Sequence, residues 1–104
     1  MMNQKEFIQE FKKMTEEMVT LVEKKNTDYS YGQDAYRNFK LCEQLGICPT
    51  EKGILVRMSD KMTRIANLLE KDAEVKSESI QDTLRDLSNY SLILAIYLKQ
   101  RQKK

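Results

Sequence analysis

The chain has 104 residues, 40% hydrophobic and 33% charged, with 18 basic and 16 acidic side chains and a formal net charge of +2. That size suits one domain, residues 1–104, around one core. The apolar content excludes a disordered chain, and the charge balance excludes a bulk polyelectrolyte partner for nucleic acid or membrane. Histidine is absent, which removes the commonest general base and the commonest transition-metal ligand.

Three glycines and one proline leave few turns, so the elements are few and long. The opening MMNQKEF lacks the pattern of a secretory signal. A first helix is expected from about Gln4 to Lys25, with Phe7, Phe11, Met14, Met18, Leu21 and Val22 as its apolar stripe and Glu10 and Glu17 beside it. The run from Asn26 to Gly32 is rich in turn formers and is expected to break that helix. A short second helix runs from about Asp34 to Leu45, with Gly46 placed as its C-terminal cap.

Cys42 and Cys48 form no CxxC pair and have no histidine company. That argues against zinc and for reduced thiols in a cytosolic protein. The third helix is expected from about Pro49 to Lys71, proline suiting a first helical turn. Ile54, Met58, Met62, Ile65 and Leu69 make its core stripe, and Arg57, Asp60, Lys61 and Arg64 a charged stripe beside it. The fourth runs from about Glu78 to Lys99, with Ser77 as N-cap and Ile80, Leu84, Leu87, Leu94 and Leu98 inward. Its apolar run Leu92–Leu98 is too short to span a bilayer. The terminal KQRQKK reads as a solvated end. No segment alternates like a strand, so the fold class is all-α, a compact bundle of about four helices.

Glu78, Asp82 and Asp86 recur every four residues, an acidic ladder that costs a helix stability. One reading is a solvated face, eased by the helix dipole and by pairing with Arg85, Lys61 or Arg64. The other is a hard-cation site, since Mg2+ takes one or two carboxylates plus substrate phosphates. Arg57, Lys61 and Arg64 on the preceding helix suit phosphate oxygens. Lys25, Asn26, Asp28 and Tyr29 place charge, amide, carboxylate and phenol together at a helix end. That set suits base or ribose recognition as well as a plain Asx turn. Of the five tyrosines, most belong to core or interface, with one or two available as a base-stacking wall.

Three segments, KKNTDY (24–29), RMSDKMTRIANLL (57–69) and ESIQDTLRDLSNY (78–90), resemble in order and spacing the phage and bacterial family called nucleotide modification associated domain 1. That family is similar to a small all-α relative of the MazG-type nucleotide pyrophosphohydrolases, and the resemblance covers roughly Val22 to Ile96. It implies a nucleotide-handling helical protein using Mg2+. Residue by residue, it points to Lys25, Asn26, Asp28, Tyr29, Arg57, Lys61, Arg64, Asn89 and Tyr90 around the nucleotide, to Asp60 beside them on the third helix, and to Glu78, Asp82 and Asp86 for the metal. The chain departs from the wider MazG-like EExxE cluster. Glu16 and Glu17 are present, but Thr20 stands where the third acid belongs.

Three functions follow as expectations. The first is a phage-type nucleotide-binding protein of the bacterial cytoplasm that sequesters a nucleotide or a nucleotide-derived immune signal, an anti-defence role. The second is Mg2+-dependent cleavage of a nucleoside triphosphate to monophosphate and pyrophosphate, with Glu17 as a helper. The third is a helical module that grips or inhibits a host protein. A homo-oligomer is expected under either nucleotide reading, with Leu92–Leu98 as its contact.

Overall fold

The structure, a computed structural model, describes the backbone of residues 1–30, 36–70 and 73–102, and the side chains of these except 25–30, 37–38, 73–78 and 102. It is all-α, as the sequence pattern predicts. The elements are α1 (Gln4–Ser30), α2 (Arg37–Gln44), α3 (Thr50–Leu69) and α4 (Ala73–Gln102), with no strand among the described residues. The chain divides into two units, Met1–Ala35 and Tyr36–Lys104, each taken by itself. Among the described residues no helix is long and apolar enough to cross a membrane.

The first unit is built on α1. Asn3 Oδ1 accepts from the Glu6 backbone N–H at 2.9 Å, and Asn3 Nδ2 donates to Glu6 Oε1 at 2.9 Å. The first of these satisfies one N–H that the helix itself cannot. The Phe7 and Phe11 rings lie 6.1 Å apart, one turn along, and both are more than half exposed. The expected break at Asn26 is not there: α1 continues to Ser30. Asn26, Thr27 and Asp28 each cost a helix only a few tenths of a kcal/mol (~0.5) relative to alanine, and no Gly or Pro stands between Lys25 and Ser30. Asp34, expected at the start of the second helix, lies outside the described residues.

The second unit begins at Tyr36 and closes α2 with a glycine. Gly46 has φ +76°. Its N–H donates to Glu43 O at 3.0 Å, and the Ile47 N–H donates to Cys42 O at 2.9 Å. This pair of bonds is a Schellman cap, the form expected of a glycine at that place. A Cβ on Gly46 would meet nothing within 4 Å, so the constraint is the backbone angle alone. Gly46→Ala is expected to cost about 1–2 kcal/mol, read as a lower Tm with unchanged helix content at 20 °C.

Pro49 (φ −58°, ψ 153°) sits at the N-cap of α3, one residue before the first turn expected for it. The cap is instead supplied from α2. Glu43 Oε1 accepts from the Thr50 N–H at 3.1 Å, placing a carboxylate on the positive end of the α3 dipole. Gly53 brings α2 close: a Cβ there would lie 3.6 Å from Cys42 Sγ and 3.7 Å from Phe39 O. Beside it Ile54 is wholly buried. Both thiols are free. Partial desolvation, with the Cys42 thiol beside it, pushes the Cys48 thiol up.

Helix α4 packs back on α3 as its antiparallel partner. It begins at Ala73, so Ser77 is not its N-cap and Asp82 stands more than two turns inside. No glycine or proline interrupts 70–77, and the dipole compensation expected for the ladder does not reach Asp82, because it fades within the first turn. The core stripe of α3 also splits. Ile54, Met58 and Ile65 turn inward, but Met62 and Leu69 are 61% and 59% exposed. At 100° per residue these two lie further round the helix than Ile65 and Met58. Leu84 and Leu98, read as inward, are exposed too.

The far end of the hairpin is tied by Arg101 Nη1 to Glu51 Oε2 at 2.7 Å. Glu51 is held below the usual carboxylate range, first by its own backbone N–H, against desolvation that pushes it up, and then by Arg101 and Lys52. A carboxyl lowered on folding contributes fully above its unfolded value near pH 4 and loses that contribution as pH falls through the lower folded value. Arg101→Gln raises the folded value, so the acid-unfolding midpoint is expected to move to higher pH. A low-salt acid titration followed by circular dichroism reads it. The shift is partial, since the backbone bond remains.

Candidate functional site

The α3–α4 hairpin carries an open groove of about 620 Å³. Its α3 wall is Arg57, Asp60, Lys61 and Arg64, with Thr63, Asn67 and Leu68 alongside; Tyr90 enters from α4. Positions 57, 61, 64 and 68 are one ridge at the i+4, i+3, i+4 spacing of a helix face, which is why a single helix can supply three cations to one groove. The charged stripe read from the sequence is thus a groove wall.

Aromatic packing sets the Arg57 end of this wall. The Phe39 and Tyr90 rings meet edge to face at 90°, centroids 6.0 Å apart, and the Arg57 guanidinium carbon lies 5.8 Å from the Phe39 centroid. Phe39 therefore braces both Arg57 and Tyr90, a cation–π contact on one side and an edge contact on the other. Further along, Tyr36 meets Tyr97 at 5.3 Å, closing the same side of the unit. Neither Phe39 nor its bracing was legible as a site feature. Its role follows from α2 lying against α3 at Gly53, which no local pattern announces.

The acids divide. Lys61 Nζ lies 3.1 Å from Asp86 Oδ2, both about a quarter exposed. Asp82 pairs with Arg85 at 3.2 Å and is 67% exposed. The two described members of the ladder thus face different partners, Asp86 the groove's lysine and Asp82 an arginine of its own helix. Among the described residues no three Cys, Asp or Glu side chains stand close enough together to hold a metal ion. The Glu78 side chain lies outside the described residues, as do those of Lys25, Asn26, Asp28 and Tyr29.

Asn89 is buried on α4 and does not line the groove. Glu10, Glu16 and Glu17 are exposed on α1, in the other unit. The structure thus brings together Arg57, Asp60, Lys61, Arg64 and Tyr90, and adds Thr63, Asn67 and Leu68, which the sequence reading passed over. Thr63 and Asn67 follow Asp60 and Arg64 by three residues each, the one hint available. Chemically, the groove offers two forked guanidinium groups, an ammonium already shared with a carboxylate, neutral donors and one phenol face. Such a surface suits an anion attached to a flat ring. Compared with protein-family models, with curated proteins and with solved structures, the chain matches none.

Proposed function

We propose that this protein binds a nucleotide or a nucleotide-derived small molecule in the α3–α4 groove. The observation that carries the reading is the convergence of Arg57, Lys61 and Arg64 with Tyr90 on one open groove. Phosphate oxygens would take the guanidinium forks, which bind them bidentately. The Tyr90 ring, braced by Phe39, would receive the base. Thr63 and Asn67 would supply neutral hydrogen bonds to sugar or base. Asp86 would exchange Lys61 with an incoming phosphate. The cellular role we carry with this reading is sequestration of a phosphorylated signal in a phage-infected bacterial cytoplasm, supported by the resemblance of the three segments.

The test is a mass balance. The protein is incubated with Mg2+ and a panel of nucleoside triphosphates and cyclic nucleotides, then filtered. Free nucleotides are quantified, the retained protein is heat-denatured, and the released material is identified. One nucleotide depleted and returned intact is the expected result. Monophosphate and pyrophosphate in the filtrate would replace binding with Mg2+-dependent hydrolysis, for which Glu78, Asp82 and Asp86 are the metal ligands to substitute next. An unchanged panel in both fractions would sink both nucleotide readings and leave the protein-gripping module.

A further inference from the structure

The corner between α2 and α3 holds both cysteines of the chain. Cys42 stands in the last turn of α2, and Cys48 just ahead of Thr50, where α3 begins. The glycine turn brings them together. With Gly46 at φ +76° the chain reverses, and the Ile47 and Cys48 N–H groups both donate to Cys42 O, at 2.9 and 3.4 Å. By standard bond lengths, the second of these bonds keeps the Cys42 and Cys48 Cα atoms no more than about 7 Å apart. Disulfides span Cα pairs at roughly 4.4–6.8 Å. The side chains meet as the backbones do, since the Cys42 thiol is the hydrogen-bonding neighbour of the Cys48 thiol. Gly53 presents no side chain against Cys42, and a Cβ there would lie 3.6 Å from Cys42 Sγ. Both cysteines are partly exposed, so a small oxidant reaches them.

We infer that Cys42 and Cys48 are a reversible redox pair, a dithiol under reducing conditions that a peroxide closes to an intrachain disulfide. The chemistry balances with one equivalent of hydrogen peroxide. The Cys42 thiolate attacks one peroxide oxygen and the O–O bond breaks. The departing hydroxide takes up the proton that Cys42 gave up, leaving water and a Cys42 sulfenic acid. The Cys48 sulfur then attacks the sulfenic sulfur and the S–O bond breaks. The Cys48 proton leaves with that hydroxide as a second water. Two electrons have passed from the two sulfurs to peroxide. The order of attack follows from surroundings: partial desolvation and the adjacent Cys42 push the Cys48 thiol up, so it carries little thiolate at neutral pH and serves as the resolving partner.

Closing the bond fastens the corner where α2 leans on α3. The residues between the cysteines include Glu43, which caps α3 at the Thr50 N–H, and Gly46 of the turn. The disulfide ties that cap and that turn into one small ring. Neither cysteine lines the groove, so this inference stands or falls separately from the nucleotide.

The experiment uses the full chain, whose two cysteines make the mass unambiguous. Reduced protein is treated with a small excess of hydrogen peroxide, alkylated with iodoacetamide and weighed by intact-mass spectrometry, with and without later dithiothreitol. The expected product is a single chain lighter by its thiol hydrogens, closed to alkylation, with helical circular dichroism retained. After reduction both cysteines take the label. Its Tm is expected about 5–10 °C above that of the reduced protein, the gain from closing a short loop. Cys48→Ser is expected to stop at a Cys42 sulfenic acid that dimedone traps, and Cys42→Ser to consume peroxide several-fold more slowly. Both cysteines still open to alkylation after peroxide would overturn the inference. So would sulfinic or sulfonic acid in place of the disulfide, chains cross-linked in pairs, or a Tm that oxidation fails to raise. If a serine variant unfolds, the wild-type masses decide.

Discussion

Arg57→Ala and Arg64→Ala are each expected to weaken nucleotide binding about 10- to 100-fold, the loss of one charge-assisted interaction of about 1.5–3 kcal/mol. Isothermal titration of each variant against the nucleotide retained by wild type reads this directly. The two changes differ in their side effects. Arg57 rests against the Phe39 ring, so its removal also frees the ring that braces Tyr90, and part of its loss is positional. Arg64 has no such contact with Phe39 and tests charge more cleanly. Affinity for wild type is expected to fall as salt rises, because the groove is open and its charges are screened. Arg101→Gln, whose partner Glu51 lies outside the groove lining, is the control that should leave binding alone. If both groove arginines can be removed without loss, the groove is not where the nucleotide sits.

Ile54→Ala is expected to cost about 2–5 kcal/mol. In a chain whose described residues wholly bury one hydrophobic side chain, that is a large share of a total stability of order 5–15 kcal/mol. A drop in Tm of about 10 °C or more follows for a domain of this size. Thermal unfolding by circular dichroism measures it, with Gln81→Ala, exposed on α4, as the control expected within about 0.5 kcal/mol. A drop of only a degree or two would show that Ile54 contributes no more than its surface neighbours. That outcome would remove the α2–α3–α4 contact as the centre of the fold.

Much of the fold could be read from spacing. The helical period of Ile54, Met58 and Ile65 gave the inward side of α3, and Gly46 marked the end of α2 because only a residue tolerant of positive φ serves there. Boundaries fared worse where propensity was weak. Asn26–Asp28 carry turn-forming side chains and Ser77 a capping one, yet the helices run through both places, since residues that favour caps only mildly disfavour interiors. Apolar identity was also mistaken for burial at Met62, Leu69, Leu84 and Leu98. A period places a residue on a stripe, but it does not say which of two stripes another helix covers. On the site, the charged face of α3 was legible because like charges at helical spacing stand out. The role of Phe39 was not, because it depends on α2 crossing α3 at Gly53, a tertiary fact with no local sign.

Only residues 70–72 separate α3 from α4, so the two walls of the groove meet by closing a very short loop. Closure on that scale takes on the order of 10–100 ns, and single helices form within about a microsecond. Architectures of such local contacts fold quickly. A groove built from sequence neighbours therefore reassembles promptly each time the hairpin opens. Reclosing then outpaces proteolytic cleavage, and resistance to a protease tracks the equilibrium population of the open form rather than the rate of opening. A bound ligand would lower that population by mass action, about 2.7 kcal/mol at a hundred times its dissociation constant. For this hairpin, survival in the presence of a protease becomes a direct gauge of how much ligand surrounds it.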